Sequence, residues 1–329
     1  MVDVDNSIPM KWLKMYKKIG QAFWDKADAR FSSNAPWVKE GCYCPVNMAL
    51  EYILGNSPVI RENDYRVALS LAILASWRKA KSIYSFDKDL ADTLREQAKD
   101  DLDVTSDMLK LPAWCIYIDL PGSEDMDGMF VMYDVGNDEK YLCMVPMKVN
   151  ERKAVCSTNP YFLRIPKEPT KLSTLIDWFL EKQHQVKGTA NTGDYEVKDG
   201  LKTFYQFVIS MLLYLSAVNR DVVFKNEATY KEPWKITDRA REVKVFSVGE
   251  ETGMRLRTFH KDRVEYEEKH EKHHASPVMH IRRAHWHTYL YGKGKMMRRI
   301  KWQGPIIVKN NGEEIDVVTL TTVKKENKE

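Results

Sequence analysis

From Ala113 to Pro166 the chain is cut into five short runs, AWCIYIDL, MFVMYDV, YLCMVPM, KAVCS and YFLRIP, rich in β-branched and aromatic residues. Clusters of Gly, Asp and Asn such as PGSEDMDG and GNDE separate them. Runs of this length between such punctuation read as successive antiparallel strands, so 111–166 is expected to form a sheet. Helical patterns lie on both sides. Trp12, Met15, Tyr16, Ile19, Ala22 and Phe23 repeat at helical spacing with lysines between them, which predicts an amphipathic helix over 9–28. Further helices are expected over 46–54 and over 64–82, where VALSLAILASW is apolar on nearly every side and belongs at the centre of a core. Asp87 reads as the N-cap of an exposed helix over 88–99.

Helices return at 171–186 and 200–218 around an exposed Gly, Thr and Asn connection. The chain then turns β again: VKVFSVG at 243–249, the segment from 280, PIIV and EEIDVVTLTTV, with a charged helix or arm over 255–276 between them. The fold class is α+β, a helical N-terminal portion packed on antiparallel sheet with a β-hairpin-rich C-terminal region. At 329 residues one large domain or two intimate ones both fit. The reading adopted is a single unit over 1–329, mainly helical over 1–110, strands over 111–166, helical over 167–225 and β-rich and basic over 240–323.

The formal charge of +4 is too small to point to a nucleic-acid partner, but its distribution is uneven. Asp87 to Tyr141 holds 15 acidic and 5 basic residues, whereas Lys272 to Gly312 holds 9 Lys or Arg and no acidic residue. Five cysteines (Cys42, Cys44, Cys115, Cys143 and Cys156) and a start without basic or apolar leader character predict a cytoplasmic protein with reduced thiols. The most apolar run, FVISMLLYLSAV, has 12 residues where about 20 are needed to span a bilayer, so it reads as a buried helix and no membrane partner is expected.

The cationic stretch contains HIRRAHWHTYLYGKGKMMRRIKW, which has the form of a β-hairpin around a Gly-containing turn. A period of two puts Ile281, Arg283, His285, His287, Tyr289 and Tyr291 on one face and His280, Arg282, Ala284, Trp286, Thr288 and Leu290 on the other. Arg298, Arg299, Lys301 and Trp302 come from the partner strand. Four chemistries compete. His285 and His287 could chelate a metal, but no third ligand is evident and flanking arginines repel a cation. Imidazoles beside arginine suit acid/base work on a phosphodiester. Rings interleaved with cations suit stacking on unpaired bases and pairing with phosphate. In the blandest reading the rings pack and the cations meet the acidic segment of the same chain.

Other motifs are weaker. The two Glu-x-x-His units of EYEEKHEKHH (Glu267 with His270, Glu271 with His274) fall on one helix, where a solvated charged face is the commoner outcome. Cys42-x-Cys44 lacks a second cysteine pair, GKGK at 292–295 lacks the Ser or Thr of a phosphate loop and reads as a turn, and Glu124, Asp125 and Asp127 read as a solvated acidic turn. Trp77, Trp114 and Trp302 are assigned mainly to packing.

LPAWCIYID (111–119), HIRRAHWHTYLYGKGK with the following IKW, ASWRKAKSIYSFD (75–87) and VFSVGEETGMRLRTF (245–259) together resemble the second type V-A anti-CRISPR family of phages and other mobile elements, in order over roughly 40–310. That resemblance implies a binding protein that lowers production of the type V-A CRISPR effector nuclease. It would recognise the nuclease's N-terminal polypeptide during translation and cause loss of the message, with mRNA, ribosome or host decay machinery as further partners. The alternative is an RNA-binding protein of a mobile element, or a metal-independent ribonuclease, using the His/Arg hairpin with His285 or His287. No cofactor or metal is called for. The candidate binding residues are His280, Arg282, Arg283, His285, Trp286, His287, Tyr289, Arg298, Arg299, Lys301 and Trp302.

Overall fold

The computed structural model describes residues 4–32, 41–55, 57, 59–97, 103–136, 139–150, 155–157, 160–187, 195–225, 242–270, 280–282, 284–295, 297–308 and 314–316. It confirms the α+β class. Helices α1 (Ile8–Ser32), α2 (Val46–Leu54) and α3 (Glu62–Ala80) precede strand β1 (Ser82–Phe86) and helix α4 (Lys88–Gln97). A short β2 (Asp103–Val104) leads into β3 (Cys115–Asp119), β4 (Gly128–Gly136), β5 (Glu139–Val149), β6 (Val155–Ser157) and β7 (Tyr161–Arg164), which realise the five runs. After β8 (Thr170–Lys171) come α5 (Leu172–Lys187), α6 (Tyr195–Ser216), β9 (Val222–Phe224), β10 (Lys244–Val248) and α7 (Glu250–His270). The chain closes with β11 (His280–Arg282), β12 (His285–Tyr291), β13 (Met297–Gln303), β14 (Ile306–Val308) and β15 (Glu314–Asp316).

The main sheet has the order β6-β5-β4-β3-β1-β10-β9, with β7 also on β5. Its β3 to β7 part is antiparallel as expected. The sequence reading placed no strand at 82–86, yet β1 lies parallel to β3, with Tyr84 opposite Ile118. SIYSF follows directly on α3 and is nearly all buried, so it shows no in-out alternation to betray it. The sheet is therefore mixed. The turn over Glu124, Asp125 and Asp127 is tied down through Asp127: Leu120 N donates to its backbone O, and its Oδ2 accepts from Val149 N.

By contacts the chain forms two compact units, residues 1–85, 101–194 and 223–247 in one and 86–100, 195–222 and 248–329 in the other. In the first unit α1, α2 and α3 cover one sheet face. Trp12, Trp24, Leu71 and Trp77 pack with Tyr117, Phe130, Met132, Cys143 and Val145. The 9–28 helix forms, but its buried stripe is Trp12, Gly20, Phe23, Trp24 and Ala27, while Met15 and Ile19 are exposed. A Cβ on Gly20 would lie 2.7 Å from the Trp24 ring, so a residue without a side chain lets α1 settle. Counting apolar side chains gives such a glycine no weight, which rotated the predicted face. Trp77 and Trp114 are buried as expected.

In the second unit Asp87 caps α4 by accepting from Asp89 N at 2.9 Å, the cap read from the sequence. Arg257 of α7 reaches back to Asp87 at 2.9 Å and to Asp89. A Cβ at Gly253 would sit 1.8 Å from Asp87 Oδ1, so glycine is what admits this approach. At the start of α7, Asp221 Oδ2 accepts from Glu251 N and Thr252 N, and Tyr214 of α6 meets Thr252. A carboxylate on free N–H groups at a helix start is favoured by both hydrogen bonding and the helix dipole.

Candidate functional site

The GKGKM link between β12 and β13 turns sharply because Gly292, Gly294 and Lys295 all take positive φ (81°, 71° and 55°), and two of the three carry no Cβ. The GKGK reading as a turn holds. The ladder that leaves it pairs Tyr291 with Met297, Tyr289 with Arg299, His287 with Lys301 and His285 with Gln303. Beyond it β11 pairs with β14, Arg282 opposite Ile306, in a separate three-stranded sheet with β15. Ala284, Gly304 and Pro305 lie outside both ladders, and the two pairings share one register.

Directly opposed residues in a ladder share a face. His285, His287, Tyr289 and Tyr291 therefore line one face with Arg299 and Lys301, and Trp286 and Trp302 face each other on the reverse. The first face is prearranged. The rings of His287 and Tyr289 stack with centroids 4.3 Å apart, and the Arg299 guanidinium lies 4.2 Å from the centre of the Tyr291 ring. His285, His287, Tyr289 and Arg299 are exposed. His280, Arg282 and Arg298 take their places on the strand backbones, but their side chains, like Arg283, lie outside the described residues, as does the His-rich end of EYEEKHEKHH.

The reverse face is the anchor. Trp302 is 1% exposed and fits edge-on to Tyr214 at 5.5 Å. Its indole N–H donates to Gln97 Oε1 at 2.9 Å. Asn219, just past α6, uses its side-chain amide like a strand: Oδ1 accepts from Trp302 N and Nδ2 donates to Trp302 O. Val218 N adds a bond to Ile300 O. Sequence reasoning assigned Trp302 mainly to packing while also counting it among the binding residues; it is buried here, and Asn219 and Gln97 were missed. An asparagine after a predicted helix carries no signal of a partner more than eighty residues away.

Several described carboxylates of the acidic segment meet partners other than the hairpin. Within the second unit Asp87 and Asp89 hold Arg257, and Asp92 holds Lys88. In the first unit Asp127 and Asp134 accept backbone N–H groups. Among the described residues no ion pair joins Arg299 or Lys301 to a carboxylate, and no group of three His, Cys, Asp or Glu could hold a metal ion. Cys42, Cys44, Cys115 and Cys143 are buried free thiols whose burial pushes them up in pKa, which makes them unreactive.

A profile of the anti-CRISPR type V subtype A2 (AcrVA2-like) family matches residues 84–310. The chain belongs to this family. A crystal structure of AcrVA2 superimposes with a TM-score of 0.61 over 91% of this chain and 96% of that one, at 18% identity, a likeness of fold. No curated protein matches the chain. The family match takes in the sheet strands β3 and β10, β1 from Tyr84 on, and the β12–β13 hairpin of this anti-CRISPR protein. Among the described residues no helix is long and apolar enough to cross a membrane.

Proposed function

We propose that this anti-CRISPR protein lowers production of a type V-A effector nuclease by binding the nuclease's N-terminal polypeptide as it is translated, with loss of the message as the outcome. One observation carries the reading. The four segments that resemble the type V-A family are built into definite places: 75–87, 111–119 and 245–259 supply β1, β3 and β10, three neighbours in the main sheet, and 280–302 supplies the hairpin. A chain with that signature in its central strands and in an exposed hairpin suits recognition better than hidden chemistry. Cytoplasmic action in the bacterial host follows from a target met on the ribosome.

The test compares two messages in cells with and without the protein. One encodes the native nuclease N-terminus; the other carries compensating frameshifts that change the peptide and leave the RNA nearly identical. Loss of the native message alone is expected. Equal loss of both would sink peptide recognition. The ribonuclease alternative draws on the shared face of His285 and His287 and has its own readout. Purified protein would cut RNA in EDTA, and His287→Ala would abolish the cut.

A further inference from the structure

We infer that the face of the β12–β13 hairpin bearing Tyr289, Tyr291, Arg299 and Lys301 is a binding surface for single-stranded nucleic acid. Single strands are gripped by cations that follow the backbone and by rings on which unpaired bases stack. Both are present in fixed positions. Two planar pairs, His287 on Tyr289 and Arg299 on Tyr291, lie along one strand face. Preformed pairs lose little side-chain freedom when a base arrives. The row from His285 to Tyr291 spans about 20 Å at the rise of a strand, room for a few nucleotides.

Charge selects the occupant. Among the described residues neither Arg299 nor Lys301 is neutralised by a carboxylate, and Lys293 and Lys295 stand exposed in the adjoining turn. No Asp or Glu occurs between Lys272 and Gly312. The reverse face, fixed through Trp302, Asn219 and Gln97, holds the hairpin from behind, so the cationic face is presented by a rigid support. An acidic peptide would satisfy the cations and leave the rings idle. A duplex would satisfy the cations and hide its bases. A single strand uses both features.

The experiment is a fluorescence-anisotropy titration of the full chain with labelled oligouridylate and oligothymidylate across a salt series, and with a duplex of equal length. It needs no effector nuclease, so its result is separate from that of the peptide-recognition test. Either single strand is expected to bind more tightly than the duplex. Each phosphate contact contributes about 0.7 to the salt slope, so Arg299→Gln with Lys301→Gln should flatten it by about 1.4. Tyr289→Ala should weaken binding about fivefold or more with little change of slope, since a lost stack is a non-ionic loss. Lys17→Gln with Lys18→Gln, removing equal charge from exposed positions on α1, should leave binding within about twofold. Melting curves and circular dichroism report that each variant is folded; should Tyr289→Ala unfold, Tyr289→Leu keeps the bulk and removes the ring. Duplex preference, displacement of the oligonucleotide by polyglutamate at equal charge, or an unchanged slope in the Gln pair would each overturn the proposal.

Discussion

Asp134 shows how one carboxylate serves two opposed demands. Its Oδ1 accepts from Val46 N at 3.0 Å, capping α2 from a distant strand, and from Val135 N at 2.9 Å. Those bonds and the helix dipole favour the charge, but burial outweighs them and pushes the carboxyl up to about 6. An unfolded Asp titrates near 3.9, so the folded state holds the proton more tightly. Asp134 therefore contributes stability that is full below about pH 4 and is lost as pH rises through about 6. Asp134→Asn keeps an oxygen for both N–H groups and removes the buried charge. It is expected to be more stable than the wild type at pH 8 by about 1–2 kcal/mol and no more stable at pH 4, read from urea unfolding at the two pH values. A larger gain at pH 4 would contradict this. Asp28 behaves oppositely. Burial raises it, but the Tyr43 hydroxyl, Arg78 and Lys79 together hold it below the usual carboxylate range. Its contribution is present above about pH 4 and is lost as pH falls through its depressed value. Neither role was legible in sequence, because each depends on partners brought in by the fold from other elements.

The hairpin is the element in which sequence and structure meet most closely. Its turn and the His and Tyr row of one face were legible, because a period of two and a Gly-rich turn are local signals; that Arg299 and Lys301 rather than Arg298 join that row was not. The ladder break beyond His285 and the anchoring by α6 were not, since they depend on the neighbours at Gly304 and Asn219. The anchor predicts a hierarchy. Trp302→Ala removes a buried ring and strands Gln97, and is expected to cost about 3–5 kcal/mol. Asn219→Ala leaves both backbone groups of Trp302 without their amide partner, for about 1–3 kcal/mol. Thr288→Ala, on an exposed position of the same hairpin, should stay within about 0.5 kcal/mol. Chemical denaturation of the three variants checks the order; an Asn219→Ala as mild as Thr288→Ala would mean that the amide does not hold the hairpin.

At the scale of the molecule the chain is interleaved, and composition along the sequence hides this. The first unit takes its strands from 82–85, from 103–171 and from 223–247, and the second takes α4, α6 and α7 from between and after them. Element identity was legible for nearly every helix, for the antiparallel strands of 113–166 and for the hairpin, but not for the short β2, β8 and β9. Strand order was not, because β1 finds β10 more than 150 residues away and only the finished sheet reveals the pairing. Lys244 N donates to Lys81 O and Asp87 N to Val248 O, so β10 runs parallel along β1. Tyr84 and Phe246 stack 4.7 Å apart on the joined strands. A parallel pairing of this separation closes a long loop before it gains any contact, which makes it late and dependent on the rest. A chain ended at residue 241 keeps β1, β3, β4 and β5 but leaves β1 with an open edge and Tyr84 without its stacking partner. Such an edge invites pairing with other chains. The 1–241 chain is expected to aggregate, or to lose cooperative unfolding, under conditions where the full chain is monodisperse. Size-exclusion chromatography and thermal melting decide it: a monodisperse 1–241 chain with a sharp transition would show that β10 completes the sheet without being required for it.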